Sequence, residues 1–426
     1  MFSLLQSLQK ICFQSYFRAR KAKNIAEKNE KHLYILQIMD WERTIVRAKY
    51  FSGKTESDLD RFSKQESDIL KRYENISKYQ WLNSKIYFRF RHQSGPRSKE
   101  ELAKYKDIME HPLLMDENNA LSVPAKFIFY NIKNIYAKYT EDNASSYEYS
   151  KKILSFLESQ PEELNAKIQE YVNKLTAFIV SCASLKKYNE ALQNIKKLRS
   201  LNFDKLKIYE NVQVEIFLSY NIELMVYNST GQFEKGIGLM KDIEGGLKRF
   251  QGKLNQFREI IAFYEIAYLY FGAKEYSKSL QWMNKILDEK TTLAPDIQSF
   301  TRILNLIIHY ELKNNDLLEY IVKSTYRFLY KRNRLYKFET SILNFIRKKV
   351  PNIIAQEEQI KAFKELKAEL EEITKDSFEK QALEYFDFIS WLESKIEDRP
   401  FAEIVKEKAR LNEKAGQAKQ STASQI

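Results

Sequence analysis

The chain has 426 residues, 44% hydrophobic and 30% charged, and a net charge of +13 from 70 Lys and Arg against 57 Asp and Glu. With only 10 Gly and 7 Pro it lacks the turn residues of a β-rich fold, and its apolar content is too high for a disordered chain. No stretch approaches the roughly 18 apolar residues of a membrane span. Cys12 and Cys182 match no disulfide or metal pattern, so we expect an all-α cytoplasmic protein with reduced thiols.

Residues 1–110 are typical of long helices that form degenerate helical pairs. Two apolar faces recur at three- and four-residue spacing, one formed by Leu33, Ile35, Leu36, Met39 and Trp41, the other by Tyr79, Leu82, Ile86 and Phe90. The stretch His92 to Arg97, which contains Gly95 and Pro96, predicts an interior break. A second loop is predicted around Pro112 to Pro124.

Residues 125–335 contain an internal repeat. Each copy has a short polar turn, then an aromatic residue or Leu, and in most copies a small residue three positions later. The copies are Lys187 to Ala191, Gln232 to Gly236, Glu275 to Ser279 and Asp316 to Tyr320, with a weaker copy at Tyr147 to Ser150. Their anchors at 150, 191, 236, 279 and 320 are 41, 45, 43 and 41 residues apart. The last copy places Tyr320 in the small position.

These copies resemble the tetratricopeptide repeat in a variant with longer helices. The best copy has Phe263, Ile266, Ala267 and Tyr270 at the core offsets of its first helix, then Tyr276, Ser279, Met283 and Ile286 in its second. A second close match has Leu175, Phe178, Ile179 and Cys182, then Tyr188 and Ala191. Two looser copies place Glu223 and Glu311 among apolar core positions. The resemblance implies a right-handed superhelical α-solenoid of antiparallel helix pairs, in which Tyr188, Phe233 and Tyr276 wedge the turns.

Residues 336–411 are predicted to form capping helices at the end of the array. One helix carries the stripe Ala362, Phe363, Leu366, Leu370 and Ile373, and the next carries Phe378, Leu383, Phe386, Ile389, Leu392 and Ile396. The stretch Trp391 to Phe401 is similar to the C-termini of uncharacterised bacterial repeat proteins. Residues 412–426 are small and polar, which predicts a flexible tail.

No pattern points to catalysis. The four histidines, His32, His92, His111 and His309, are far apart, and no nucleotide-binding glycine motif occurs. We therefore expect a protein that is not an enzyme and that has no catalytic residues, no metal and no cofactor.

The resemblance also implies a binding groove on the concave side of the array, lined by first-helix residues one position beyond the core offsets. These positions, called the predicted groove below, are Asn173, Thr176, Asn221, Met225, Asn228, Tyr264, Tyr268, Phe271, Arg302, Asn305 and His309. The expected function is a scaffold or adaptor that binds a peptide or helix of a protein partner there. Because such side chains face the groove, their removal is expected to leave stability nearly intact. Alternatively they are simply exposed residues, or the long helices fill the groove themselves.

A basic patch supports a second hypothesis, binding of nucleic acid or another polyanion. The patch comprises Lys323, Arg327, Lys331, Arg332, Arg334 and Lys337, and Glu339 is the only acid between residues 324 and 349. The alternatives are a solvated helix face or a surface for an acidic protein partner.

Overall fold

The computed structural model describes residues 17–47, 56–90, 99–103, 105–160, 167–201, 210–288, 293–352 and 355–423. Every regular element within these ranges is a helix, and no strand occurs among them, which confirms the all-α prediction. Cys12 and the predicted break from His92 to Arg97 lie outside the described residues.

The described α-helices are numbered here in chain order. They are α1 (17–28), α2 (His32–Arg47), α3 (Glu56–Phe90), α4 (Lys99–Ala103), α5 (Lys106–Met109), α6 (Val123–Tyr139), α7 (Asn143–Glu158), α8 (Ile168–Ser184), α9 (Tyr188–Arg199), α10 (Glu210–Ser229), α11 (Phe233–Gly238), α12 (Met240–Arg249), α13 (Gln256–Gly272), α14 (Tyr276–Leu287), α15 (Pro295–Glu311), α16 (Asn315–Lys331), α17 (Lys337–Asn344), α18 (Gln356–Ile373), α19 (Ser377–Lys380), α20 (Phe388–Ile396) and α21 (Phe401–Ala423).

The chain divides into two compact units, one of residues 1–91 with 103–137 and one of residues 92–102 with 138–426. In the first, Tyr79, Leu82 and Ile86 of the predicted face of α3 pack on α6, whereas the side chain of Phe90 lies outside the described residues. Tyr79 is fully buried, and its hydroxyl donates to the carbonyl oxygen of Leu113 over 2.6 Å. Asn75 fixes the predicted loop by bonding to the backbone of Asn119 and Leu121.

The predicted face of α2, in the same unit, is only partly buried. Ile35 and Met39 lie in a small cluster, whereas Leu33 and Trp41 are exposed.

In the second unit each helix packs mainly on its neighbours along the chain, in the order α7, α8, α9, α10 and then α13 to α16. The three predicted wedge residues, Tyr188, Phe233 and Tyr276, are the first residues of α9, α11 and α14. Sequential pairs of this kind are compatible with a helical repeat solenoid.

Four turns of this unit share one backbone conformation. Lys186, Gly231, Lys274 and Lys313 have φ between 57° and 64°, in the left-handed region. In each turn the following N–H reaches back five residues, for example from Lys187 to the carbonyl oxygen of Cys182, which is the helix-ending arrangement known as the Schellman motif. Asn333 and Asp398 have the same conformation, and the N–H of the residue after each also reaches back five residues, so the cap ends helices outside the repeat as well.

The caps also correct the register of two copies. Ala191, Gly236 and Ser279 each lie five residues after the left-handed position and are buried, and in the last copy this place belongs to Leu318. Tyr320, predicted there, is 74% exposed. In the first copy the left-handed residue is Glu141, so the place five residues later belongs to Ser146. The anchors are then 45, 45, 43 and 39 residues apart.

The two carboxylates at apolar core offsets both have partners. Glu223 accepts from the Arg199 guanidinium over 2.6 Å and from the Tyr227 hydroxyl over 2.7 Å. Glu311 accepts from the indole N–H of Trp391 over 2.7 Å and from Lys395 over 2.5 Å. A buried charge is tolerated when it is paired and hydrogen-bonded in this way.

The C-terminal third departs from the predicted helices. The stripe on α18 is buried as expected, from Ala362 to Leu370. The next predicted helix, however, is broken into α19, a 3₁₀ turn (Gln381–Glu384), a short non-helical link and α20. Residues 412–423, predicted as part of a flexible tail, belong to α21, whose last described turns are rich in Ala, Lys and Gln, which favour helix.

Adjacent glycines in α12 give a test of the packing. A methyl group at Gly246 would lie 1.9 Å from the ring of the buried Phe217, whereas one at Gly245 meets nothing within 4 Å. We expect Gly246→Ala to lower the free energy of unfolding by about 1–3 kcal/mol through overpacking. Gly245→Ala should raise it by about 0.5–1 kcal/mol through helix propensity. Urea unfolding of both variants measures the difference, and equal effects would contradict the packing of α12 on α10.

Candidate functional site

Part of the predicted groove is covered by the chain itself. Residues 381–405, called the cover segment here, lie across α13 and α15. The backbone of its residues 385–387 is held by two tyrosines one turn apart on α13. The Tyr264 hydroxyl donates to the carbonyl oxygen of Tyr385 over 3.0 Å, and the N–H of Asp387 donates to the Tyr268 hydroxyl over 3.2 Å.

Phe386 of the cover segment inserts among aromatic rings. Its ring centre lies 5.1 Å from those of both Tyr268 and Phe271, 4.8 Å from that of Phe388 and 5.7 Å from that of Phe401. Edge-to-face and tilted contacts at these distances are favourable beyond their buried area. Phe386 is 1% exposed, so this aromatic cluster is part of the protein core.

The cover segment continues onto α15. Tyr385 stacks on Phe300 with ring centres 4.6 Å apart, and Trp391 packs edge-on against Tyr310 at 6.1 Å. Glu311, at the end of α15, bonds to the indole of Trp391. Two neighbouring helices therefore hold the segment through backbone, ring and charge contacts.

These contacts overturn one expectation for α13. Tyr264, Tyr268 and Phe271 do not line an open groove, because the cover segment buries all three to 8% exposure or less. Their removal is therefore expected to cost stability.

The positions predicted on α15 do not share one surface with those on α13. Arg302 lies over the ring of Phe328 on α16, 3.4 Å from its centre, and burial followed by the charge of Arg332 lowers its pKa to about 10. Asn305 is buried, and the His309 ring bonds to Asn314 in the next turn. The core offsets of this copy, Leu304, Ile307 and Ile308, are fully buried as the repeat pattern predicts.

The remaining predicted positions lie on α8 and α10. Asn173 is exposed, and Thr176 and Met225 are half-buried. Asn221 and Asn228 are buried, and the side-chain oxygens of Thr176, Asn221 and Asn228 have no hydrogen-bond partner among the described residues. A buried acceptor without a donor costs about 1–3 kcal/mol, so these three oxygens lower the stability of this region.

Glu265 lies beside these positions. Its side chain and its carbonyl oxygen accept from the amide of Asn228 over 2.8 Å and 3.0 Å. Burial raises the pKa of this carboxyl to about 7, although the bond from Asn228 acts in the opposite direction. The group therefore changes charge near neutral pH.

Two lysines lie at the α8 end of the same region. Lys138 donates to the carbonyl oxygen of Ala177 over 3.3 Å, and burial lowers its pKa to about 8, helped by the positive charge of Lys174. Burial also lowers the pKa of Lys174. The Lys138 side chain is nevertheless exposed at the surface and that of Lys174 is half-buried, so both ammonium groups are open to an incoming negative charge.

Only some residues of the basic patch are exposed cations. Arg327, Lys331 and Lys337 are exposed, Lys323 pairs with Glu319, and Arg332 lies over Phe328 at 3.9 Å. Arg334 instead pairs with the buried Asp296 over 3.1 Å and is a structural residue.

Sequence reasoning missed the residues that close the groove, namely Tyr385, Phe386 and Asp387. One signal was available. Asp387 accepts from the N–H of Ser390 over 2.9 Å and so caps α20, and an Asp three residues before Ser in an apolar run predicts a helix start.

The described residues contain no group of three or more His, Cys, Asp or Glu that could hold a metal. No described helix is long and apolar enough to cross a membrane. Cys182 is buried, which raises the pKa of its thiol to about 12 and leaves it protonated at neutral pH.

The cover segment gives a stability test. We expect Phe386→Ala to lower the free energy of unfolding by about 3–5 kcal/mol, because it leaves a cavity inside the aromatic cluster. Tyr264→Phe should cost about 1 kcal/mol through its lost bond to the Tyr385 carbonyl. The control is Phe257→Ala, since Phe257 is 45% exposed and should change little. Chemical unfolding distinguishes them, and near-neutral behaviour of Phe386→Ala would show that the segment does not cover α13.

Glu265 gives a pH test. Its pKa is raised from the ordinary 4.5 to about 7 on folding, so the folded state holds the proton more tightly. Its contribution to stability is therefore full below pH 4.5 and is lost as pH rises through 7, by at most about 3 kcal/mol. Glu265→Gln should flatten the dependence of the unfolding free energy between pH 5 and 8, whereas Glu244→Gln, at an exposed position on α12, should not. An unchanged pH profile in Glu265→Gln would refute the assignment.

Comparison with known proteins leaves the chain without a family assignment: no family model, no curated protein and no solved structure matches it.

Proposed function

We propose that the chain is a non-catalytic interaction protein that binds an extended, acidic segment of a protein partner along α8 and α10. The observation that carries the proposal is that Asn173, Thr176 and Met225 are at least partly exposed on two helices, α8 and α10, that pack against each other. An exposed Asn can donate to and accept from a peptide backbone at once, which makes Asn173 a suitable contact for an extended segment.

The covered part of the predicted groove supports the same mode of binding. On α13 the chain already holds a non-helical stretch of its own through one carbonyl and one N–H, with an aromatic side chain inserted beside them. A peptide site needs polar side chains that bond to the backbone of the peptide and aromatic rings that surround one of its side chains, and this face of α13 has both.

The charge of the region supports an acidic partner. Lys138 is exposed and Lys174 is half-buried, and together they place two positive charges beside α8, which would attract a carboxylate of the partner. The chain also carries a net charge of +13, which steers negatively charged partners towards it.

We further propose the tetratricopeptide-like architecture, a right-handed superhelix of antiparallel helix pairs, for residues 138–331. The recurring left-handed caps at 186, 231, 274 and 313 support it, as does the packing of successive helices. In such an array the first helices of successive pairs lie side by side, so α8 and α10 would present one continuous surface.

The binding proposal is tested by blocking the uncovered positions. Asn173→Arg combined with Met225→Arg places two bulky side chains on α8 and α10, where neither wild-type residue is fully buried. We expect retention of the partner from an extract of the native cells to fall by about tenfold or more, which corresponds to at least 1.4 kcal/mol of binding energy. Quantitative mass spectrometry of the retained proteins provides the measurement.

The matched control is Gln193→Arg combined with Lys196→Arg on α9, where both side chains are exposed. This variant should retain the partner as the wild type does, and both variants should keep the wild-type melting temperature. Equal retention by the control and the α8–α10 variant would exclude this surface as the binding site.

A further inference from the structure

Helix α16 presents a face that no described part of the chain covers. Its inward side is formed by Leu318, Val322 and Leu329, which are at most 6% exposed. Its outward side carries Tyr320 and Tyr330, which are 74% and 67% exposed. Large aromatic rings left in water at this density are unusual unless they meet a ligand.

Two of the exposed rings form a flat pair. Tyr326 and Tyr330 lie one helical turn apart, with their rings only 7° from parallel and their centres 6.2 Å apart. Both rings therefore present the same orientation to an approaching planar group. Such a group can stack on them at low conformational cost, because the two rings are already aligned.

A row of cations runs beside the rings. Lys323, Arg327 and Lys331 are spaced four residues apart, so they lie on one side of α16 with a rise of about 6 Å between them. Lys323 pairs with Glu319, whereas Arg327 and Lys331 make no ion pair with any residue that the structure describes. Lys337, at the start of α17, is also exposed and without such a pair.

We propose that this face of α16 binds single-stranded nucleic acid, with bases stacked on Tyr326 and Tyr330 and phosphates on Arg327 and Lys331. Aligned aromatic rings beside a row of positive charge are the two components of sites that follow a single strand without reading its sequence. A duplex would satisfy the cations alone, because its bases are stacked on one another and unavailable to the rings. An acidic protein segment would likewise use the cations and leave the parallel rings without a planar partner.

This site is independent of the proposed peptide site. Its residues lie on α16, whereas the peptide site lies on α8 and α10, and no residue is shared. Arg332 and Arg334, which the sequence placed in the same patch, are not needed, because Arg332 packs on Phe328 and Arg334 pairs with Asp296.

Fluorescence anisotropy with a fluorescein-labelled oligouridylate, over a series of salt concentrations, tests the proposal on the full chain. We expect Tyr326→Leu with Tyr330→Leu to weaken binding by about tenfold or more, since base stacking on a ring contributes about 1–3 kcal/mol. The pair Tyr326→Phe with Tyr330→Phe keeps the rings and should bind as the wild type does. Arg327→Gln with Lys331→Gln should make the negative slope of log K against log salt shallower by about 1.4, which is about 0.7 for each lost phosphate contact.

Two controls separate this site from general charge. Lys241→Gln with Lys248→Gln removes the same charge from exposed positions on α12 and should leave the affinity and the slope nearly unchanged. Polyglutamate, which has charge and no bases, should be insensitive to the tyrosine variants. The proposal is overturned if the wild type does not bind the oligouridylate, if the α12 variant loses as much as the α16 variant, or if the leucine pair binds as tightly as the phenylalanine pair. In that last case the patch recognises polyanions in general.

Discussion

The burial of Phe386 against α13 is the contact on which the C-terminal third of the chain depends. Phe386 brings Tyr385 and Asp387 into reach of the two α13 tyrosines, and the same cluster receives Phe401 from the start of α21. Aromatic rings carry most of this energy because each buries a large apolar area, and their edges and faces attract one another. Without the cover segment, Tyr264, Tyr268 and Phe271 would be exposed on one helix.

A second constraint acts at the backbone. Lys186, Lys274 and Lys313 adopt left-handed φ angles, which cost energy in residues other than glycine, and only Gly231 escapes that cost. The Schellman bonds satisfy carbonyls that would otherwise be unpaired at the helix ends, and this offsets the strain. Since the geometry is the same in each turn, successive helices meet their neighbours in similar ways despite divergent side chains.

The Lys and Arg residues of the chain lie in different kinds of surroundings. Some cations hold the fold, as Arg199 does with Glu223 and Arg334 with Asp296. Lys138 and Lys174 place positive charge beside α8, and Arg327 and Lys331 are exposed beside aromatic rings. The same residue types therefore hold the fold in some places and belong to the proposed peptide and nucleic-acid sites in others.

The sequence by itself determined the helical class, the repeat and the residues that begin the second helices, such as Tyr188, Phe233 and Tyr276. These features follow from local rules, because apolar spacing and turn chemistry act over a few residues. Only the tertiary structure decided which part of the predicted groove is closed. Tyr264 and Tyr385 are 121 residues apart in the chain, and no periodic pattern relates two such positions. Their contact depends on where the chain turns back after α18, which is a property of the packed molecule.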